Sequence, residues 1–204
     1  MINQWKALSF RSLLFAILFS NWLYPQHKDR TIEDITLSCV YEAFTKGGVD
    51  LKKELESYEA FLVQNNFLKN KSGKEYIAFL QEMNRINYIP ATRPNALFIR
   101  LLEADFKTNY DKDCVLKKVI TEGNFSSLSD FKNTKLHRLE QAVKKVMYRN
   151  EADFKTISKV HLDILDESDY EKPYFKTMFL LSIALGSNEE GHEVFEKLPP
   201  LPDN

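Results

Sequence analysis

A chain of 204 residues fits one domain and stretches to two only if both are small. Hydrophobic residues make up 44% and charged residues 28%, with Gly 6 and Pro 7, which excludes a low-complexity or loop-rich chain. The 28 Lys and Arg face 29 Asp and Glu and lie singly or in doublets such as Lys52-Lys53, Lys117-Lys118 and Lys144-Lys145, so no basic stripe points to nucleic acid.

The first residues read as an export signal. Lys6 and Arg11 precede an apolar run from Leu13 to Phe19 that Ser20 and Asn21 interrupt. Even extended to Tyr24 the run is shorter than the ~20 apolar residues a spanning helix needs, so the mature chain is expected to have no membrane helix. Cleavage is placed after Ser20; processing near Tyr24-Pro25-Gln26 and an amphipathic first helix of a cytosolic protein are the alternatives. Export to a periplasmic or extracellular space would leave 26 basic and 29 acidic residues, a formal −3. It would also leave two cysteines, Cys39 and Cys114. An even pair in an oxidising compartment predicts one disulfide, with two buried thiols as the alternative.

From Thr31 the periodicity is helical. Thr31 is a cap, Ile32, Ile35, Cys39, Val40, Ala43 and Phe44 share one face, and Gly47-Gly48 ends the helix. Asp50 caps a second helix with Leu51, Leu55, Tyr58, Phe61 and Leu62 inward and Lys52, Lys53, Glu56 and Glu59 outward. It stops near Asn65-Asn66. A turn over residues 69–73 leads to a third helix bearing Tyr76, Ile77, Leu80 and Met83, which predicts an antiparallel pair with the second.

The prolines of Ile89-Pro90-Ala91-Thr92-Arg93-Pro94 make a connector. Residues 95–106 read as helix, with a strand as the alternative, and Cys114 opens another short helix before Gly123. Ser129 is expected to cap a helix through Phe131, Leu136, Leu139, Val143, Val146 and Met147. Asp153 caps the next, with Phe154, Ile157, Val160, His161 and Ile164 inward and His161 a packed histidine. After an acidic turn over residues 166–169, Pro173 starts a last helix to Gly186 that is apolar almost all round and therefore central.

Together these elements predict an all-α fold, a single-domain irregular bundle of about six to eight helices stapled by one disulfide. The expected organisation is a signal peptide over residues 1–20, a linker over 21–30, the helical domain over 31–197 and an extended tail over 198–204.

Chemistry-bearing patterns are sparse. His27, His137, His161 and His192 lack metal-ligand spacing, and Glu189, Glu190, His192 and Glu193 read as a solvated helix end. Ser72-Gly73-Lys74 fails as a phosphate loop because Leu68 stands where its opening glycine belongs. There is no Gly-x-Ser-x-Gly elbow, and both cysteines have a structural use. No catalytic residue, cofactor or metal site is assigned.

Leu37-Ser38-Cys39-Val40-Tyr41, Asn66-Phe67-Leu68, Ser72-Gly73-Lys74-Glu75-Tyr76 and Asp113-Cys114 resemble landmarks of an exported helical domain whose members carry the label of biopolymer-transport proteins of the energiser type. The resemblance spans roughly residues 32 to 114 and implies an envelope setting beside outer-membrane transport. The chain departs from the energiser pattern in lacking a single spanning helix followed by a transport domain. The expected role is that of a non-enzymatic interaction or accessory protein of the cell envelope. A small-molecule or peptide binding domain with Tyr76, Tyr88 and Phe98 lining a cleft is the alternative, and a hydrolase using acidic residues comes third.

Overall fold

The computed structural model describes residues 30–89, 93–122, 129–148 and 153–186. The predicted signal peptide, most of the linker, the Glu189 to Glu193 cluster and the tail lie outside the described residues. Within them the chain is all helical, with no strand. Among the described residues, eight helices have nine or more residues and two are single turns: α1 Ile32–Lys46, α2 Leu51–Gln64, α3 Gly73–Ile86, α4 Asn95–Glu103, α5 Phe106–Asn109, α6 Cys114–Glu122, α7 Lys135–Tyr148, α8 Phe154–Ile164, α9 Glu167–Tyr170 and α10 Pro173–Leu185. None is long and apolar enough to cross a membrane.

Helix boundaries follow local chemistry. Thr31 and Asp34 form a reciprocal capping box on α1, and Asp50 and Asp153 accept from the third backbone N–H of α2 and α8 at 3.1 and 2.7 Å. Asn87 ends α3 in the left-handed conformation, and its Oδ1 accepts from Lys155 N at 2.8 Å, while Asn84 donates to Lys155 O. One asparagine thus terminates α3 and satisfies a free N–H in the first turn of α8.

Two boundaries differ from the sequence expectation. The run over residues 95–106 breaks at Asp105, which takes φ 44° and whose side chain caps α5. Aspartate tolerates that left-handed geometry better than most residues. Ser129 is not the cap of α7: Phe131–Asn133 forms a 3-10 turn, and the Thr134 hydroxyl accepts from His137 N at 3.1 Å. Thr134 has the extended backbone a cap requires, so the helix starts there.

Helix α10 is the centre, packed by α1, α2, α4 and α9. Its Phe175, Phe179, Leu180, Leu181, Ile183 and Ala184 are buried, as an all-round apolar helix must be. Its buried polar residue Thr177 meets the Tyr41 hydroxyl at 3.1 Å. Helix α3 packs chiefly on α8 and α9 rather than pairing with α2, and α8 in turn carries α7. Ser158, fully buried on α8, turns its hydroxyl back to Lys155 O at 3.0 Å and so needs no partner across the interface.

Tight joints need glycine. A Cβ on Gly73 would stand 1.9 Å from Glu167 O, and one on Gly47 would stand 2.1 Å from Ala104 O. The first closes α3 onto α9, and the second brings the end of α1 against the end of α4.

The staple is formed. Cys39, midway along α1, and Cys114, the first residue of α6, are bridged with their Cα atoms 6.0 Å apart across a sequence separation of 75.

Candidate functional site

The densest polar chemistry lies inside the bundle. Glu59 on α2, expected outward, is only 4% exposed. It follows Leu55 by four residues and precedes Leu62 by three, so it belongs to the buried stripe. The Tyr76 hydroxyl donates to Glu59 Oε1, Lys176 Nζ lies 2.6 Å from the same oxygen, and Lys71 Nζ lies 3.3 Å from Oε2. The arrangement supplies two cations and a phenol to one buried carboxylate, as a buried charge requires. Burial, followed by the hydrogen bond to Glu59, pushes the Tyr76 phenol far above its ordinary range, so it remains a donor.

Aromatic packing continues the cluster. Tyr76 stacks on Tyr170 with ring centres 5.6 Å apart, and both meet Phe179 edge-on at 5.2 and 5.7 Å. The Tyr170 hydroxyl lies 3.2 Å from His161 Nδ1. Burial pulls the His161 imidazole down to about 4, so it is neutral at pH 7 and is the packed histidine expected.

A second clamp stands at α9. What reads in sequence as an acidic turn is a capped helix in which Asp166 and Asp169 form a reciprocal capping box and Asp169 is fully buried. Lys135 from α7 bonds both Asp166 and Asp169, and Lys172 bonds Asp169 at 2.8 Å. Burial opposes the Asp169 charge, but the hydrogen bonds from Lys135 and Lys172 outweigh it and hold the carboxyl below its ordinary range. Nearby, the Glu171 carboxylate accepts from Gly73 N at 2.6 Å at the start of α3. Both buried carboxylates are occupied by protein donors, and Tyr76 is fully buried. The chemistry supported is fixation of α2, α3, α7, α9 and α10 against one another.

The three aromatics of the expected cleft are dispersed in role. Tyr76 is in the core, Tyr88 is exposed, and Phe98 is half-buried beneath the Arg93 guanidinium at 3.7 Å from its ring centre. Arg93 donates to Ala184 O at 3.1 Å and Gly186 O at 2.7 Å, thereby closing the C-terminal end of α10. A surface depression of about 290 Å³ is lined instead by Asn66, Phe67, Lys69, Glu75, Ala78, Phe79 and Glu82. Among the described residues no group of three or more His, Cys, Asp and Glu is placed to hold a metal ion.

Two helices turn apolar side chains to solvent. Ile99 and Leu102 on α4 are 51% and 56% exposed, and Leu116 and Ile120 on α6 are 49% and 56% exposed. Their spacings of three and four residues put each pair on one helix face. Of the four sequence landmarks, residues 37–41 lie on α1 around Cys39, 66–68 in the α2–α3 connection, 72–76 at the start of α3, and 113–114 at the start of α6.

Comparisons with protein-family models, with curated proteins and with solved structures returned no match.

Proposed function

We propose that the chain is an exported, disulfide-stapled helical domain that acts by binding another protein of the cell envelope. The observation that carries the reading is the Cys39–Cys114 bridge, because disulfides persist where thiols are kept oxidised. Lys6 and Arg11 before the apolar run from Leu13 to Phe19 support the same compartment. The envelope setting is the one implied by the landmarks around Cys39, Phe67, Gly73 and Cys114. An interaction role is supported by the outward pairs Ile99/Leu102 and Leu116/Ile120, which cost the free domain apolar exposure without serving its core.

The depression beside Phe67 and Phe79 favours a second reading, a small-molecule or peptide site, because two aromatics line it together with Lys69, Glu75 and Glu82. Photo-crosslinking in envelope preparations separates the two. A photoreactive residue at 116 or 120 is expected to give one saturable protein adduct, whereas the same residue at exposed position 52 gives none. Adduct formation confined to a probe at position 78, beside the depression, would contradict the interaction reading.

A further inference from the structure

We propose that α6 is a redox-releasable helix: reduction of Cys39–Cys114 by a dithiol detaches α6 from α1 while the bundle around α10 stays folded. The inference rests on the bridge and its surroundings and holds whatever partner the domain meets.

Helix α6 is thinly anchored. Among the described residues, α1 is the helix on which it packs extensively. Besides Cys114, its buried residue is Val119, with Val115, Lys118 and Glu122 half-buried. Lys118 pairs with Glu42 of α1, and Glu42 Oε2 lies 3.8 Å from Cys114 Sγ, so the ion pair and the bridge occupy the same corner. Leu116, Lys117, Ile120 and Thr121 face outward. A helix of nine residues is too short to persist in water without tertiary support, so after loss of the bridge it is held by buried Val119, half-buried Val115 and Glu122, and the partly exposed Lys118–Glu42 pair.

The polar clamps and the aromatic stack lie away from that corner. The Glu59 clamp draws on α2, α3, α10 and the loop before α3; the Asp169 clamp draws on α7, α9 and Lys172, the residue before α10. The stacked Tyr76, Tyr170 and Phe179 likewise lie on α3, α9 and α10. Elements with few buried contacts open locally before the rest of a domain does.

The exchange balances. A thiolate of the dithiol attacks Cys114 Sγ, whose residue is 8% exposed against 2% for Cys39. The S–S bond breaks, Cys39 leaves as thiolate and takes a proton. The second thiol of the reductant then attacks the mixed disulfide, closes its own ring and releases Cys114 as a thiol. Two electrons and two protons pass from the dithiol to the cysteines.

Hydrogen–deuterium exchange read by mass spectrometry on the full chain tests the idea, with dithiothreitol as the probe dithiol and Cys39→Ser/Cys114→Ser as the permanently open form. Peptides covering residues 114–122 are expected to speed up in exchange at least tenfold more than peptides within residues 51–64, 73–86 and 173–185 in both open forms. Trypsin is expected to cut newly after Lys117 and Lys118. A uniform rise across the chain, or unchanged protection of residues 114–122, would overturn the proposal.

Discussion

Tyr76 donates its hydroxyl hydrogen to Glu59 Oε1 in the core, where Lys176 of α10 lies 2.6 Å from the same oxygen. One carboxylate therefore joins three helices. A Glu59 on the solvent face would tolerate Ala with a change below about 0.5 kcal/mol. In this structure Glu59→Ala strands the Tyr76 hydroxyl and opens a gap, so a loss of roughly 3 kcal/mol is expected, against roughly 1 to 2 kcal/mol for Tyr76→Phe. Urea titrations of both single variants and the double variant should give a coupling of at least about 0.5 kcal/mol. Additive effects would mean the two groups do not share a bond.

The joint at Gly73 gives a steric prediction. A methyl group there meets Glu167 O at 1.9 Å, so α3 and α9 must separate and the Gly73 N to Glu171 bond must lengthen. Gly73→Ala should cost roughly 2 kcal/mol, an overpacking penalty, despite alanine's better helix propensity. For a chain of this size that lowers the melting temperature by about 4 to 8 °C. A raised melting temperature would show that the joint has slack.

Stability should fall with acid in two stages. His161 has its folded value lowered to about 4 from 6.5, so between those values the unfolded chain binds the proton and the folded chain does not. Its contribution is therefore full above pH 6.5 and is lost progressively down to pH 4, amounting to at most roughly 3 kcal/mol. Asp166 and Asp169 act lower: their depressed carboxyls add stability above their ordinary value of 3.8 that is lost only below it. Denaturant midpoints measured from pH 7 to pH 4 should decline in the native chain and flatten in His161→Leu. An equal decline in that variant would assign the first stage to other groups.

The outward pair on α6 should be silent in stability and audible in binding. Leu116→Lys and Ile120→Lys replace exposed side chains, so the free energy of unfolding should change by less than about 0.5 kcal/mol. Loss of the crosslinked adduct in these variants, with stability unchanged, is the expected result. An undiminished adduct would move the interaction surface elsewhere.

Removing the staple is a global as well as a local test. Loop-closure entropy over the separation of 75 residues amounts to about 4.5 kcal/mol, an upper value for Cys39→Ser/Cys114→Ser. Since domains have ~5 to 15 kcal/mol in reserve, the variant is expected to remain folded and to melt cooperatively at a lower temperature.

The helices were legible where one face repeats clearly. Ile32, Ile35, Cys39 and Phe44 fixed the inner side of α1, and Asp50, Asp153 and Pro173 marked helix starts through their own backbone chemistry. The all-round apolar character of α10 gave its central place. The clamps were hidden because a Glu at position 59 satisfies both an amphipathic outer face and, with lysines brought from positions 71 and 176, a buried one. Only the tertiary arrangement decides between them. Asp169 was missed for the same reason, its cations being at positions 135 and 172. The turn at Asp105 escaped notice because Leu97, Leu101, Leu102, Ala104 and Phe106 continue a helical apolar pattern across it. The pairing of Cys39 with Cys114 followed from their even number and the export signal rather than from spacing, which carries no geometric information over 75 residues.

Intact mass of the protein from its native envelope fraction, alkylated with and without prior reduction, tests the central claim most directly. A mass lacking the first ~20 residues, with two thiols alkylated only after reduction, is the predicted result for an exported, disulfide-stapled domain. A full-length mass with both cysteines alkylated without reduction would contradict it.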